Sequence, residues 1–179
     1  MGKKILLLLG VLMLFLATAA QADILGDTVT IQYYSPDKSS PWGAPLHTTG
    51  VVTLLGVSLN LFDNQLVTVF ADHVDLVALR DSSFLGPVPF NGVSIEDLTN
   101  PGVFTSFSVD PASNVVGFDV SRVSIDGGLL WINYEELGTP HDSLARVDFE
   151  TAAIPEPASI LLFGTGLAGL AGLLRRKLN

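Results

Sequence analysis

An all-β fold, two antiparallel sheets packed as a jelly-roll-like sandwich, is what this sequence predicts for its middle, and three observations predict it. Short runs of Val, Ile, Thr, Phe and Leu recur between Asp23 and Ile154. Gly, Pro, Asn and Asp interrupt them at close intervals, and no stretch of that region keeps a helical period. Several runs alternate apolar with polar side chains, so one face of a strand packs inward while the other meets water. Many short strands at such spacing suit a two-sheet sandwich, with an immunoglobulin-like arrangement as the second choice.

In chain order the expected strands are Thr28 to Tyr34, Gly50 to Phe62, Leu66 to Ala71, Val74 to Leu79, Phe90 to Asp97, Val103 to Val109, Val116 to Ile125, Leu129 to Tyr134 and Leu144 to Phe149. The alternation is cleanest in Val74 to Leu79 and in Val120 to Ile125. Turns are expected at Asp63-Asn64, Asn91-Gly92, Asn100-Pro101-Gly102, Asp110-Pro111 and Asp126-Gly127-Gly128, where each supplies a positive-φ or fixed-φ residue.

The two ends of the chain do not read as globular. Lys3 and Lys4 precede an apolar run from Ile5 to Leu16, and Ala20-Gln21-Ala22 stands before Asp23. That is the pattern of a secretory signal peptide over residues 1–22. About twelve apolar residues are too few for a comfortable span, and Ala20 and Ala22 are the small side chains a signal peptidase accepts, with cleavage between Ala22 and Asp23. The implied partners are the Sec export machinery and signal peptidase. A folded domain over residues 23–153 is long enough to bury a core without staples. The chain has no cysteine, which removes disulfides, thiolate nucleophiles and cysteine metal sites.

Charge is divided unevenly. Five of the nine basic residues lie at the two ends, leaving Lys38, Arg80, Arg122 and Arg146 against all 18 acidic residues between Asp23 and Pro157, a net charge of −14. Such a field repels phosphate backbones and anionic lipid surfaces, so nucleic acid is excluded as a partner.

After the domain, Ile154-Pro155-Glu156-Pro157 is held extended by its prolines. From Ala158 to Leu174 the chain is apolar for 17 residues, roughly 26 Å as a helix and at the short end of what crosses a bilayer. Arg175-Arg176-Lys177 then keeps the far side cytoplasmic and the acidic domain outside. Gly164, Ala168 and Gly172 stand four apart, which offers a small-residue face for another helix or reflects the ordinary composition of membrane helices. A plain membrane anchor accounts for the same topology.

Taken in order, Pro155-Glu156-Pro157, the Gly-rich apolar stretch and Arg175-Arg176-Lys177 resemble the PEP-CTERM sorting signal, over residues 154–179. The resemblance implies recognition of Pro155, Glu156 and Pro157 by an exosortase, an integral membrane enzyme that cleaves near the motif. It further implies delivery to the cell envelope or exterior of a bacterium that makes exopolysaccharide.

Chemistry in the domain is sparse. His73 and Asp75 share one strand face in Asp72-His73-Val74-Asp75 and are the densest candidate for a metal, with a third ligand from Asp142 or His141; the ordinary reading makes them solvent-facing residues of an edge or hairpin. No Gly-x-Ser-x-Gly, His-Glu-x-x-His, EF-hand or phosphate loop is present, and Glu135-Glu136 would point oppositely on a strand. We therefore assign no catalytic residue, no metal site and no cofactor. Trp42, in Pro41-Trp42-Gly43-Ala44-Pro45, is the one candidate glycan contact, an aromatic ring on a loop near Tyr33 and Tyr34; Trp131, in an apolar strand, is expected in the core. The sequence thus predicts an exported, non-enzymatic envelope or matrix protein, with exopolysaccharide binding or secreted hydrolase activity as the rival functions.

Overall fold

The computed structural model describes residues 23–84 and 86–152. The signal segment with Ala20 and Ala22, and the tail with Pro155 to Pro157, its apolar stretch and Arg175 to Lys177, lie outside the described residues. What is described is all-β, two five-stranded antiparallel sheets face to face.

One sheet runs in the order β2 (His47–Val51), β1 (Thr28–Tyr34), β7 (Gly92–Asp97), β10 (Leu129–Asn133), β9 (Val123–Asp126). The other runs β3 (Val57–Leu61), β4 (Gln65–Val69), β5 (His73–Ala78), β12 (Leu144–Thr151), β8 (Phe104–Val109). A two-stranded piece, β6 (Ser82–Ser83) with β11 (Gly138–Thr139), lies on the two connections that lead from β5 to β7 and from β10 to β12. It is held by the Gln65 amide donating to the hydroxyls of Ser82 and Thr139.

Period-two patterning explains the layers. In β1, Val29, Ile31 and Tyr33 are buried and pair across to Asp97, Ile95 and Val93 of β7. In the facing sheet Leu59, Val67 and Leu76 stand in register, as do Val57, Val69, Val74 and Val147. These inner faces make one continuous hydrophobic cluster. Each buried Val, Leu or Ile contributes about 1.5–3 kcal/mol by leaving water.

The outer faces are not bare. On the second sheet Arg146 lies opposite Asp75, and its Nε and Nη2 donate to the two carboxylate oxygens at 2.6 and 2.7 Å. On the first, Trp131 is buried outside the inter-sheet cluster. Tyr34 and Phe90 pack around its ring, and the Lys38 ammonium sits 4.8 Å above it. Trp131 is buried as expected, but not between the sheets: its neighbour Leu130 faces inward, so alternation turns Trp131 to the outer face, where Tyr34, Lys38 and Phe90 cover it.

Three further expectations change. The single strand from Gly50 to Phe62 is two, because Thr53 to Gly56 forms a turn closed by the Gly56 amide donating to the Thr53 carbonyl, with Gly56 at φ +73°. The strand from Val116 to Ile125 keeps only its last residues. Gly117 turns at φ +82°, and Asp119 accepts from the Ser121 amide to cap a 3-10 turn over Val120–Arg122. Asn91-Gly92 is not a turn: Asn91 is buried, and Gly92 opens β7 against the Ile132 carbonyl. The turns at Asp63, Gly102 and Gly127-Gly128 form, each with a positive φ.

A Cβ at Gly92 would fall on the Ile132 carbonyl oxygen of the neighbouring strand, where only backbone movement makes room. Gly92→Ala is therefore expected to lower stability by about 2–3 kcal/mol, measured as a lower urea midpoint at unchanged slope. A midpoint equal to wild type would contradict this packing.

Candidate functional site

β1 and β2 are joined by the Ser35–Leu46 loop, and that loop helps to build a concavity on the side of the sandwich. Trp42 is fixed at both ends of its side of the loop. Its amide donates to the Tyr33 carbonyl at 2.9 Å, and its indole Nε1 donates to the Ser35 carbonyl at 3.0 Å. The Gln32 amide reaches the carbonyls of Trp42 and Leu46 from the adjoining strand. The ring is still 47% exposed.

Facing it is Phe62, in the hairpin between β3 and β4. Phe62 and Asp63 both adopt the left-handed region, at φ 56° and 57°, a conformation that costs a non-glycine residue roughly 1–2 kcal/mol. Asn60 holds the turn by accepting from the Asp63 amide and donating to its carboxylate. The result is an aromatic ring, also 47% exposed, set edge-to-face with Trp42 at 5.8 Å. Tyr33 lies beneath both, 6.1 Å from Trp42 and 5.4 Å from Phe62. Burial raises the Tyr33 phenol above its ordinary range, so it stays protonated and donates to Asn91.

Between these rings and the edge strands β2 and β3 lies an open cleft of about 620 Å³, lined by Trp42, Pro45, His47, Asn60, Phe62 and Asp63 among others. Aromatic faces flanked by an amide, a carboxylate and an imidazole suit a ligand with an apolar face and a polar rim. None of the four basic residues of the domain lines the cleft.

The histidine candidates are not brought together. His73 stacks on Phe70 and contacts Asp72 at 2.6 Å, with Asp75 3.9 Å away. The Asp75 carboxylate is already taken by Arg146. The Asp142 backbone amide donates to the Ala78 carbonyl at the far end of β5, and the His141 ring contacts the Asp142 carboxylate there. The length of β5, about 17–20 Å, separates them from His73, so the suggested third ligand is out of reach. No group of three His, Asp or Glu residues suited to a metal occurs among the described residues. Glu135 turns to Arg122 and Glu136 sits at φ 58°, off any strand. His73 closes the hairpin from β4 to β5, where the Phe70 amide donates to its carbonyl at 2.8 Å, so the expected hairpin position holds, but the strand it opens is interior and the side chain is only partly exposed.

At the opposite end of the sandwich from the cleft, β12 ends at Thr151 and the Ala152 amide donates to the Val103 carbonyl. The next residues, 153–177, match the family model of the PEP-CTERM protein-sorting motif. The chain carries a PEP-CTERM sorting tail. Such a tail marks an exported protein for processing by an exosortase. No curated protein and no solved structure matches the chain.

The end of the domain that adjoins the sorting tail also holds its most unusual carboxylate. Asp97 is fully buried; its Oδ1 accepts from the amides of Thr99 and Asn100, while Oδ2 has no hydrogen-bond partner. Burial raises its pKa above the usual carboxylate range, the two amides offset part of this, and the nearby Asp27 carboxylate adds to it. A proton held more tightly in the folded than in the unfolded chain means that ionised Asp97 costs stability at neutral pH. That cost disappears as pH falls through the folded pKa.

Sequence reasoning found Trp42 but not Phe62. The available signal is a large apolar residue directly before the expected Asp63-Asn64 turn. Asp97→Asn keeps an acceptor for both amides and removes the charge beside Asp27. It is expected to raise stability by about 1 kcal/mol at pH 7, with the gain vanishing below about pH 4. Urea midpoints at the two pH values measure this, and a loss at pH 7 would overturn the assignment.

Proposed function

We propose that this is an exported protein of the cell envelope or extracellular matrix, with a non-enzymatic structural or adhesive β-sandwich. Its signal peptide, residues 1–22, is removed after Sec export, and Ala158 to Leu174 hold it in the membrane with the domain outside. Exosortase then acts at Pro155, Glu156 and Pro157, while Arg175, Arg176 and Lys177 lock the orientation. The observation that carries this reading is the matched motif beginning directly after the residue that closes β12. We read the sandwich as a jelly-roll-like variant, because the chain passes repeatedly between the sheets while keeping hairpins β1–β2 and β9–β10 within one sheet.

A second reading, glycan binding at the cleft, is favoured by the paired exposed rings of Trp42 and Phe62. Sugar rings present axial C–H faces to aromatic rings and hydroxyls to groups such as Asn60 and Asp63. On this reading the ligand is the host's own exopolysaccharide.

Intact mass of the mature protein from its native host tests the sorting assignment. The wild type is expected to begin at Asp23 and lack the tail, while Pro155→Ala/Glu156→Ala/Pro157→Ala retains it; a retained tail in both would leave a plain anchor. For the cleft, Trp42→Ala is expected to weaken affinity for the purified exopolysaccharide about tenfold, one stacked aromatic being worth about 1 kcal/mol or slightly more. Phe62→Ala should do the same in titration calorimetry. Equal affinity in the wild type and both variants would remove the cleft from the proposal.

A further inference from the structure

We propose that the tail-proximal end of the sandwich is a lipid-contacting rim, with Leu54 and Leu55 at its apex, seated on a zwitterionic membrane interface while the tail is anchored. The inference rests on the reading that residues 158–174 cross the bilayer.

The turn between β2 and β3 carries the argument. Thr53 accepts from the Gly56 amide at 2.9 Å, which places Leu54 and Leu55 at the two central positions. Central turn positions favour Gly, Pro, Asn, Asp and Ser. Here they hold two leucines, 85% and 86% exposed. Folding does not account for them, since neither enters the core cluster. Nor is the turn loosely attached. A Cβ on Gly56 would strike Thr68 and the Val69 carbonyl, and Val52 exchanges amide hydrogen bonds with Gly26 and Asp27 of the neighbouring loop. The leucines are held outward on a rigid support.

Their surroundings share the character. Leu25, Val51 and Leu98 are each roughly half exposed, and all three lie in or beside the loops that close this same end. Thr28 at the start of β1 pairs with Val51, and the Leu98 amide donates to the Thr28 carbonyl. Ile24 bonds to Ala71 of the second sheet. Ala152, the last described residue, is tied to Val103 in the loop from β7 to β8, at the same end.

Position then selects the occupant. Only residues 153–157 separate Ala152 from the apolar stretch, and five residues reach at most about 18 Å. An end tethered so closely to a bilayer meets the headgroup region, where apolar side chains gain by entering the acyl boundary. Charge narrows the lipid further. Asp23, Asp27, Asp72 and Asp126 border this end, whereas Arg80 and Arg122 lie at the far end and Lys38 and Arg146 on the outer sheet faces. Without cations the rim is repelled by anionic headgroups, so its partner is a zwitterionic surface entered by leucine side chains.

The absence of cysteine permits a direct test in the full chain. Leu55→Cys, Val116→Cys and Leu167→Cys are each labelled with an environment-sensitive nitrobenzoxadiazole and reconstituted into phosphatidylcholine/phosphatidylethanolamine vesicles, with or without nitroxide-bearing acyl chains. Val116 is 87% exposed and lies at the far end, so it controls for an equally exposed apolar site. Quenching by about half is expected at Leu55, for a side chain lying about 5–10 Å into the interface, with none at Val116 and strong quenching at Leu167. Quenching at Leu167 with Leu55 matching Val116 would overturn the rim while leaving the anchor intact. An unquenched Leu167 would overturn the anchor itself, and the rim with it.

Discussion

Two antiparallel pairings between strands distant in sequence hold this domain together, β1 with β7 and β5 with β12. They occupy the interiors of the two sheets, and the local hairpins β1–β2, β3–β4–β5 and β9–β10 are built outward from them. Closing such long loops is entropically costly before any contact repays it. The compensation is concentrated where the four strands face one another, through Ile31, Ile95, Val74, Leu76 and Val147, all essentially inaccessible to water. A one-residue slip in either pairing would turn these side chains outward and bring Asp75 or Gln32 in. Register is therefore specified by burial, with the Asp75–Arg146 pair reinforcing it from outside.

That register also separates the two ends of the molecule. The loops from β2 to β3 and from β7 to β8 lie at one end, together with the exit of β12. The Ser35–Leu46 loop and the Phe62 hairpin lie toward the other. The cleft and the exit of β12 are thus opposed along the strand axis. An anchored molecule standing on its tail would present Trp42 and Phe62 away from the membrane, where polymer outside the cell is accessible. The same geometry puts Leu54 and Leu55 at the end from which β12 leaves.

Legibility in the sequence follows the range of the interactions. β1 was read to the residue because Val29, Ile31 and Tyr33 alternate without interruption. The sorting tail was legible because its three parts are contiguous and depend on nothing folded. Where reading failed, a local pattern had another cause. Leu54 and Leu55 look like strand residues, yet the Thr53–Gly56 hydrogen bond makes them a turn, so a run from Gly50 to Phe62 seemed continuous. Asn91-Gly92 looks like a hairpin turn, but the glycine serves close approach to β10. Ser82–Ser83 and Gly138–Thr139 carry no apolar signal, since their pairing is held by hydroxyls and the Gln65 amide. The approach of Phe62 to Trp42 joins loops twenty residues apart through the β2–β3 edge, which no local pattern encodes.

Charge further limits what the cleft can hold. Asp63 contributes a carboxylate to its lining, and the domain around it is strongly acidic. An anionic ligand would enter without a counter-charge and lose its hydration there, a cost that two aromatic faces do not offset. A neutral ring meets no such penalty. On the glycan-binding proposal, its C–H face would lie against Trp42 or Phe62, and its hydroxyls would find acceptors in Asn60 and Asp63. Selectivity would then come from the angle between the rings: at 86° one ring stacks flat on the ligand while the other blocks its edge, which favours a turn or a chain end over a flat, continuous polymer face.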